Sequence, residues 1–168
     1  MHIWNKMFLA FLFVIVMVSC SVTNMTREEK RALELTTAQM VNDSIANRTF
    51  KIDITYVNPN RMPARNLEYG YYIHVFKDSI DAYIPFFGVA YRAEYGTVDE
   101  GLKYKGPISK YEVLRVKKDM QQVNILVKKH FDEILYQIDL YENGKATVFV
   151  RSINREGIHY NGEMNINN

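Results

Sequence analysis

The sequence predicts a mainly β protein: a single antiparallel β-domain of about eight strands, barrel or sandwich, preceded by one N-terminal α-helix. Three observations predict it. From Arg48 onward, apolar residues recur at every second position, the period of a half-buried strand. Short turn formers, Lys77-Asp78-Ser79, Lys118-Asp119 and Asn143-Gly144, separate these runs at hairpin distances. No amphipathic helical stretch lies between the runs to carry a crossover, so consecutive strands are expected to pair antiparallel.

Composition sets the outer bounds. The chain has 168 residues, 48% of them hydrophobic and 13% aromatic, enough for one domain with a substantial core. Its formal charge is +2 and no run of basic residues stands out, which gives nucleic-acid binding no support.

Residues 1–19 read as a signal peptide. Lys6 supplies the positive charge, and Met7 to Val18 is an unbroken apolar run of twelve residues. A bilayer core needs roughly 20 such residues, so this run is too short to span it. Ser19 and then Cys20, the only cysteine, complete a bacterial lipobox pattern, although Met17 and Val18 depart from its commoner Leu-(Ala/Ser)-(Gly/Ala) form. The expected product is a chain lipidated at Cys20, with a short tether over 20–25. Two or three acyl chains would hold it stably to the cell membrane or outer membrane. Nothing acidic follows Cys20 immediately, so the periplasmic face is the expected location. A lone cysteine offers no internal disulfide.

The domain proper is expected over 26–164. Thr26-Arg27-Glu28-Glu29 is a capping box opening a helix over about 27–46, with Leu33, Met40, Val41 and Ile45 as its apolar stripe and Asn47 as its stop. Phe50, Ile52, Ile54 and Tyr56 then form the inward face of a strand. Pro59 and Pro63 bracket a loop carrying Arg61 and Arg65. Leu67, Tyr69, Tyr71, Ile73 and Val75 alternate again, and Ile80, Ala82 and Ile84 follow the next turn. Residues 96–107 read as a long loop, given Gly96, Gly101, Gly106 and Pro107. Strands are expected at about 108–117, 120–130 and 133–142. Another runs through Ala146, Val148 and Val150, and a short one opens at Ile158. The end, Asn165 to Asn168, is expected to fray.

The stretch Tyr83 to Gly96 breaks the alternation. It holds Tyr83, Phe86, Phe87, Tyr91 and Tyr95 with Pro85, Gly88 and Arg92. Pro85 removes a backbone donor, so this is no ordinary central strand. The segment is expected either as a kinked strand that closes the β-structure or as an aromatic loop at its mouth. Its rings can stack on a sugar or line a lipid pocket, and Arg92 can meet a carboxylate or phosphate. The alternative is that the rings are simply core and rim. Asn154-Arg155 carries the same ambiguity, between holding a turn and facing a pocket.

Tyr83-Ile84-Pro85-Phe86-Phe87-Gly88 with Ala90-Tyr91 and Tyr95, then Asn143 to Val148, then Ser152-Ile153-Asn154-Arg155 with Ile158, Tyr160 and Gly162, resembles the domain-of-unknown-function 4251 family of small exported lipoproteins of gut Bacteroidetes. The resemblance covers about residues 28–164. It implies a single exported β-rich domain and lends no catalytic residue.

No chemical motif competes with a binding role. His74, His130 and His159 lie in no paired metal motif; His130-Phe131-Asp132-Glu133 reads as a solvated turn. No serine sits in a nucleophile elbow. Asp99 and Glu100 are adjacent loop acids, which spacing alone cannot make a catalytic pair. The expectation is a non-catalytic domain without cofactor or metal, binding an unknown small ligand or an envelope protein. A structural or assembly factor docking another envelope protein is the alternative, and a hydrolase ranks last.

Overall fold

The structure is a computed structural model and describes residues 25–68, 70–92, 102–129 and 132–166. The chain divides into two units, Met1–Ala32 and Leu33–Asn168. The described part of the first is the opening turn of helix α1 (Arg27–Ala46). The expected capping box closes it: the Thr26 N–H donates to Glu29 Oε2 at 2.7 Å, and the Glu29 N–H donates to Thr26 Oγ1 at 3.2 Å.

In the second unit only part of the expected apolar stripe is covered. Val41 and Ile45 are buried, whereas Leu33 and Met40 stay exposed. The helix ends at Ala46, directly before Asn47, as expected. Arg48 takes the left-handed conformation, φ 53°, and its N–H donates to the Ile45 carbonyl at 3.1 Å, which caps the last turn.

The ten strands are β1 (Thr49–Asn58), β2 (Arg65–Asn66), β3 (Tyr72–Phe76), β4 (Ser79–Tyr83), β5 (Tyr104–Pro107), β6 (Lys110–Lys117), β7 (Met120–Lys129), β8 (Asp132–Tyr141), β9 (Lys145–Ser152) and β10 (Ile158–Met164). All pairs are antiparallel, and all ten strands form one sheet in the order β5-β4-β3-β1-β10-β9-β8-β7-β6, with β2 beside β1. A sandwich needs two sheets; this is a half-barrel. Its two edges, β5 and β6, are consecutive in the chain and joined through Ile108 and Ser109. The Ile108 N–H donates to the Asp78 carbonyl and the Ser109 N–H to the Leu126 carbonyl, both at 2.8 Å, so the link bonds to both sides of the curl.

The expected count of about eight strands falls short by two short ones. Arg65-Asn66 pairs with Tyr56 and Val57 inside what reads as a proline-bracketed loop. Tyr104–Pro107 pairs with β4 despite its glycine and proline, which an edge tolerates because one side of an edge strand needs no donors. The strand expected from Leu67 begins only at Tyr72, with Ile73 and Val75 fully buried as expected.

The inward residues of β1, β3, β4 and β7–β10 make one core, joined by Val41 and Ile45 of α1. On the same inner face Tyr111 donates its hydroxyl to the Ile45 carbonyl at 3.1 Å, and Gln121 donates to Asn42 Oδ1. These two bonds fix the helix to β6 and β7. Among the described residues no helix is long and apolar enough to cross a membrane.

One register change carries weight below. Pairing of β1 with β10 shifts between Ile54 and Tyr56, so Thr55 is an extra residue. Phe50, Ile52 and Ile54 face inward as their alternation predicts, but the next inward residue is Val57, fully buried, and Tyr56 is only half-buried. The Asn143-Gly144 turn also differs in detail from two residues at positive φ. Only Gly144 has it, at 82°, while the Asn143 side chain accepts from the Lys145 N–H at 3.0 Å.

Candidate functional site

One end of the half-barrel gathers the connections after β1, after β4 and after β9. The chain leaves β4 at Tyr83 and runs irregularly through residues 84–92. Over its described residues, through Arg92, the segment is therefore an aromatic loop and not a closing strand. Ile84 anchors it in the core with no exposure, and its carbonyl accepts from the Leu102 N–H at 2.9 Å. Pro85 contributes only a carbonyl, and the Tyr160 hydroxyl donates to it at 2.8 Å. Gly88 provides the close approach expected of it: a Cβ there would meet Phe86 Cζ at 2.9 Å and Ile158 Cδ1 at 3.2 Å.

The β9–β10 connection clasps this loop. Ala90 and Arg155 form an isolated antiparallel bridge, with the Tyr91 N–H donating to the Asn154 carbonyl at 2.8 Å and the Glu156 N–H to the Val89 carbonyl at 3.0 Å. The Glu156 carboxylate ties three segments together. It accepts from the Asn60 amide at 3.2 Å and from the Val89 N–H at 3.2 Å, and it pairs with Arg61 Nε at 3.6 Å. The Asn60 amide, the Val89 N–H and the Arg61 charge all favour its ionised form and hold its pKa below the usual value of 4.5.

The sign of the linkage follows. A depressed folded-state pKa contributes stability above the unfolded-state value and loses it as pH falls through the folded value. Glu156→Gln is therefore expected to lower the thermal midpoint at neutral pH, with the gap from the parent closing as acid protonates the Glu156 carboxylate through its lowered folded-state value. A gap that stays constant across acid titration would mean that the carboxylate charge is not what joins the three segments.

Two arginines lie on the aromatic rings. The Arg65 guanidinium sits 4.6 Å from the centre of the Phe87 ring, and that of Arg155 sits 5.0 Å from the centre of Phe86. Both rings are half-buried with their inner sides against the core. A guanidinium stacked on a ring keeps its planar fork of N–H donors at the ring's edge, suited to a carboxylate or phosphate. Lys103 Nζ stands 5.7 Å from the centre of Tyr83, whose ring also meets Tyr71 at 5.4 Å.

The expected site residues thus separate by depth. Phe86 and Phe87 are wall. Tyr83, Tyr91 and Arg92 are exposed at the rim, Tyr91 at 66%. Tyr95, with Asp99 and Glu100, lies outside the described residues, as do Cys20, His130 and Phe131. Sequence reasoning left Asn60 and Glu156 out, and no local pattern marks them, because their roles depend on three loops meeting. Arg61 and Arg65 were visible only as residues of a proline-bracketed loop, whereas Arg155 was marked as either holding a turn or facing a pocket.

The reading of Asp132 as part of a solvated turn is corrected. Asp132 is buried and accepts from the Ser152 hydroxyl at 2.8 and 2.7 Å and from the Ile153 N–H at 3.2 Å, locking the start of β8 to the end of β9. Among the described residues no group of three or more His, Cys, Asp or Glu is gathered as a metal site.

A family model described as "Domain of unknown function (DUF4251)" matches residues 32–164. A solved structure, the crystal structure of a DUF4251 family protein from Bacteroides eggerthii, superposes with a TM-score of 0.60 at 12% sequence identity. The match covers 79% of this chain and 89% of that one, and it shows the shared fold. No curated protein matches the chain.

Proposed function

The chain belongs to the DUF4251 family, and from that premise we propose that it is a lipid-anchored cell-envelope protein whose half-barrel binds a ligand at its arginine–aromatic end without turning it over. The observation that carries the reading is the pair of stacked guanidiniums, Arg65 on Phe87 and Arg155 on Phe86. With Arg61 and Arg92 at the same end and Tyr83 and Tyr91 exposed beside them, the ligand class that fits carries an anionic group next to a flat or apolar face. An acidic sugar is the simplest example. Ring faces cover the sugar and the guanidinium fork takes the acid. The anchor rests on Cys20 and its apolar leader, and the lipid would hold the domain facing the periplasm.

The test is thermal unfolding of a soluble chain beginning at Asn24, with uronic-acid oligosaccharides, neutral oligosaccharides, inorganic phosphate and peptides as probes. Binding to the native state alone stabilises by about 2.7 kcal/mol at a hundredfold excess over Kd. The acidic sugars are expected to raise the midpoint, and Arg65→Ala or Phe87→Leu to abolish the rise while the free protein still melts cooperatively. No rise with any probe sinks the ligand reading and favours the alternative, an assembly factor that docks another envelope protein. The anchor is checked separately: Cys20→Ala should move the protein out of the membrane fraction or stall it as an uncleaved precursor, and neither outcome would mean that it is not a lipoprotein.

A further inference from the structure

We propose that the outer edge of β6 is a docking site for an extended, acidic segment of a partner protein, added to the sheet as one more strand. The two edges of this sheet are unlike. Strand β5 is four residues long and ends in Gly106-Pro107, a blunted edge. Strand β6 is eight residues long, contains neither glycine nor proline, and among the described residues pairs with β7 alone. An edge of that length presents a row of backbone N–H and C=O groups that an extended chain can pair with.

Its side chains fit such a partner. Val113, Leu114 and Val116 are 40%, 51% and 51% exposed, an apolar stretch on a strand whose other residues, apart from Tyr111, are charged. The register with β7 shifts between Arg115 and Lys117, which leaves Val116 as the extra residue. The charge is one-sided: Lys110, Arg115 and Lys117 stand against Glu112, and Lys118 follows directly. Lys110 is held by Glu112 at 2.7 Å, and Arg115 lies 3.8 Å from Glu142. Lys117 and Lys118 have no carboxylate partner among the described residues. A second copy paired antiparallel about the centre of this edge would set Lys110 against Lys117 and Glu112 against Arg115, so the charges give a second copy no net advantage. Successive side chains of β6 point to opposite faces, so a strand alternating apolar and acidic residues sets its apolar side chains on the face of Leu114 and its acidic ones on the face of Arg115, with Lys117 and Lys118 beyond.

The experiment is hydrogen exchange of the full chain in detergent micelles, read by mass spectrometry over the β6–β7 hairpin. The probe is a capped peptide alternating valine and glutamate. One control replaces its glutamates by lysine; the other keeps the side chains and N-methylates alternate backbone nitrogens. The acidic peptide is expected to slow exchange of β6 amides by about tenfold. The N-methylated peptide and the lysine peptide are expected to have no such effect, and Leu114→Glu, an exposed change that leaves the core intact, to cancel it. No slowing at millimolar acidic peptide overturns the proposal. So does slowing that appears with rising protein concentration alone, which would make the occupant a second copy. Equal slowing by the lysine peptide would overturn the assignment of acidic chemistry.

Discussion

Gly162→Ala is expected to cost about 3 kcal/mol or more and to lower the unfolding midpoint by roughly 10 °C. Gly162 lies in β10 opposite Ile54, next to the point where β1 carries its extra residue. A Cβ at position 162 would stand 2.3 Å from the Asp53 carbonyl oxygen and 3.1 Å from both the Asp53 carbonyl carbon and Ile52 Cγ2. The atom it meets is backbone, which cannot rotate aside as a side-chain tip can. Relief requires β1 and β10 to separate, and these two strands join the two halves of the sheet. The comparison is Asn161→Ala, one residue away and exposed, which is expected to change stability by no more than about 0.5 kcal/mol. Thermal melts of both variants decide the matter. If Gly162→Ala melts with the parent, the two strands do not approach as described.

The same position shows what could and could not be read from residues alone. Period-two alternation identified β1, β3, β4 and β7–β9 because one face of each is buried in a shared core, and burial is what alternation records. It failed at Tyr56. Reading Phe50, Ile52, Ile54 and Tyr56 as one face assumes an unbroken pleat, and a bulge at Thr55 hands the inward position to Val57. Nothing in β1 announces the bulge. The permissive residue is Gly162, far along the chain on the partner strand. The candidate site divides the same way. Phe86, Phe87, Tyr83, Tyr91 and Arg92 are close in sequence, so composition could find them. Arg65, Arg155 and Glu156 reach them only through sheet topology, which sets the ends of β1, β4 and β9 side by side.

Two buried phenols beneath that end are expected to respond with opposite signs to the loss of their hydroxyls. Tyr136 and Tyr160 are both fully buried on the inner face, and burial raises both phenols well above their ordinary pKa. Tyr160 donates to the Pro85 carbonyl at 2.8 Å. Tyr160→Phe leaves that carbonyl without this donor and loosens the start of the aromatic loop, at a cost of about 1–3 kcal/mol. The Tyr136 hydroxyl has no hydrogen-bond partner among the described residues. Burying a hydroxyl unpaired costs about 1–3 kcal/mol by mutational measures, so Tyr136→Phe, of nearly the same shape, is expected to stabilise by about 1 kcal/mol. Both variants keep the ring and its packing, so chemical denaturation should give unchanged slopes and midpoints displaced in opposite directions. Loss of stability in Tyr136→Phe would mean that this hydroxyl is paired in solution. The thermal-shift panel repeated on Tyr136→Phe would then separate the cases. A ligand-induced rise that shrinks without this hydroxyl means that its pairing supports the binding end from beneath, and an unchanged rise leaves a purely structural partner.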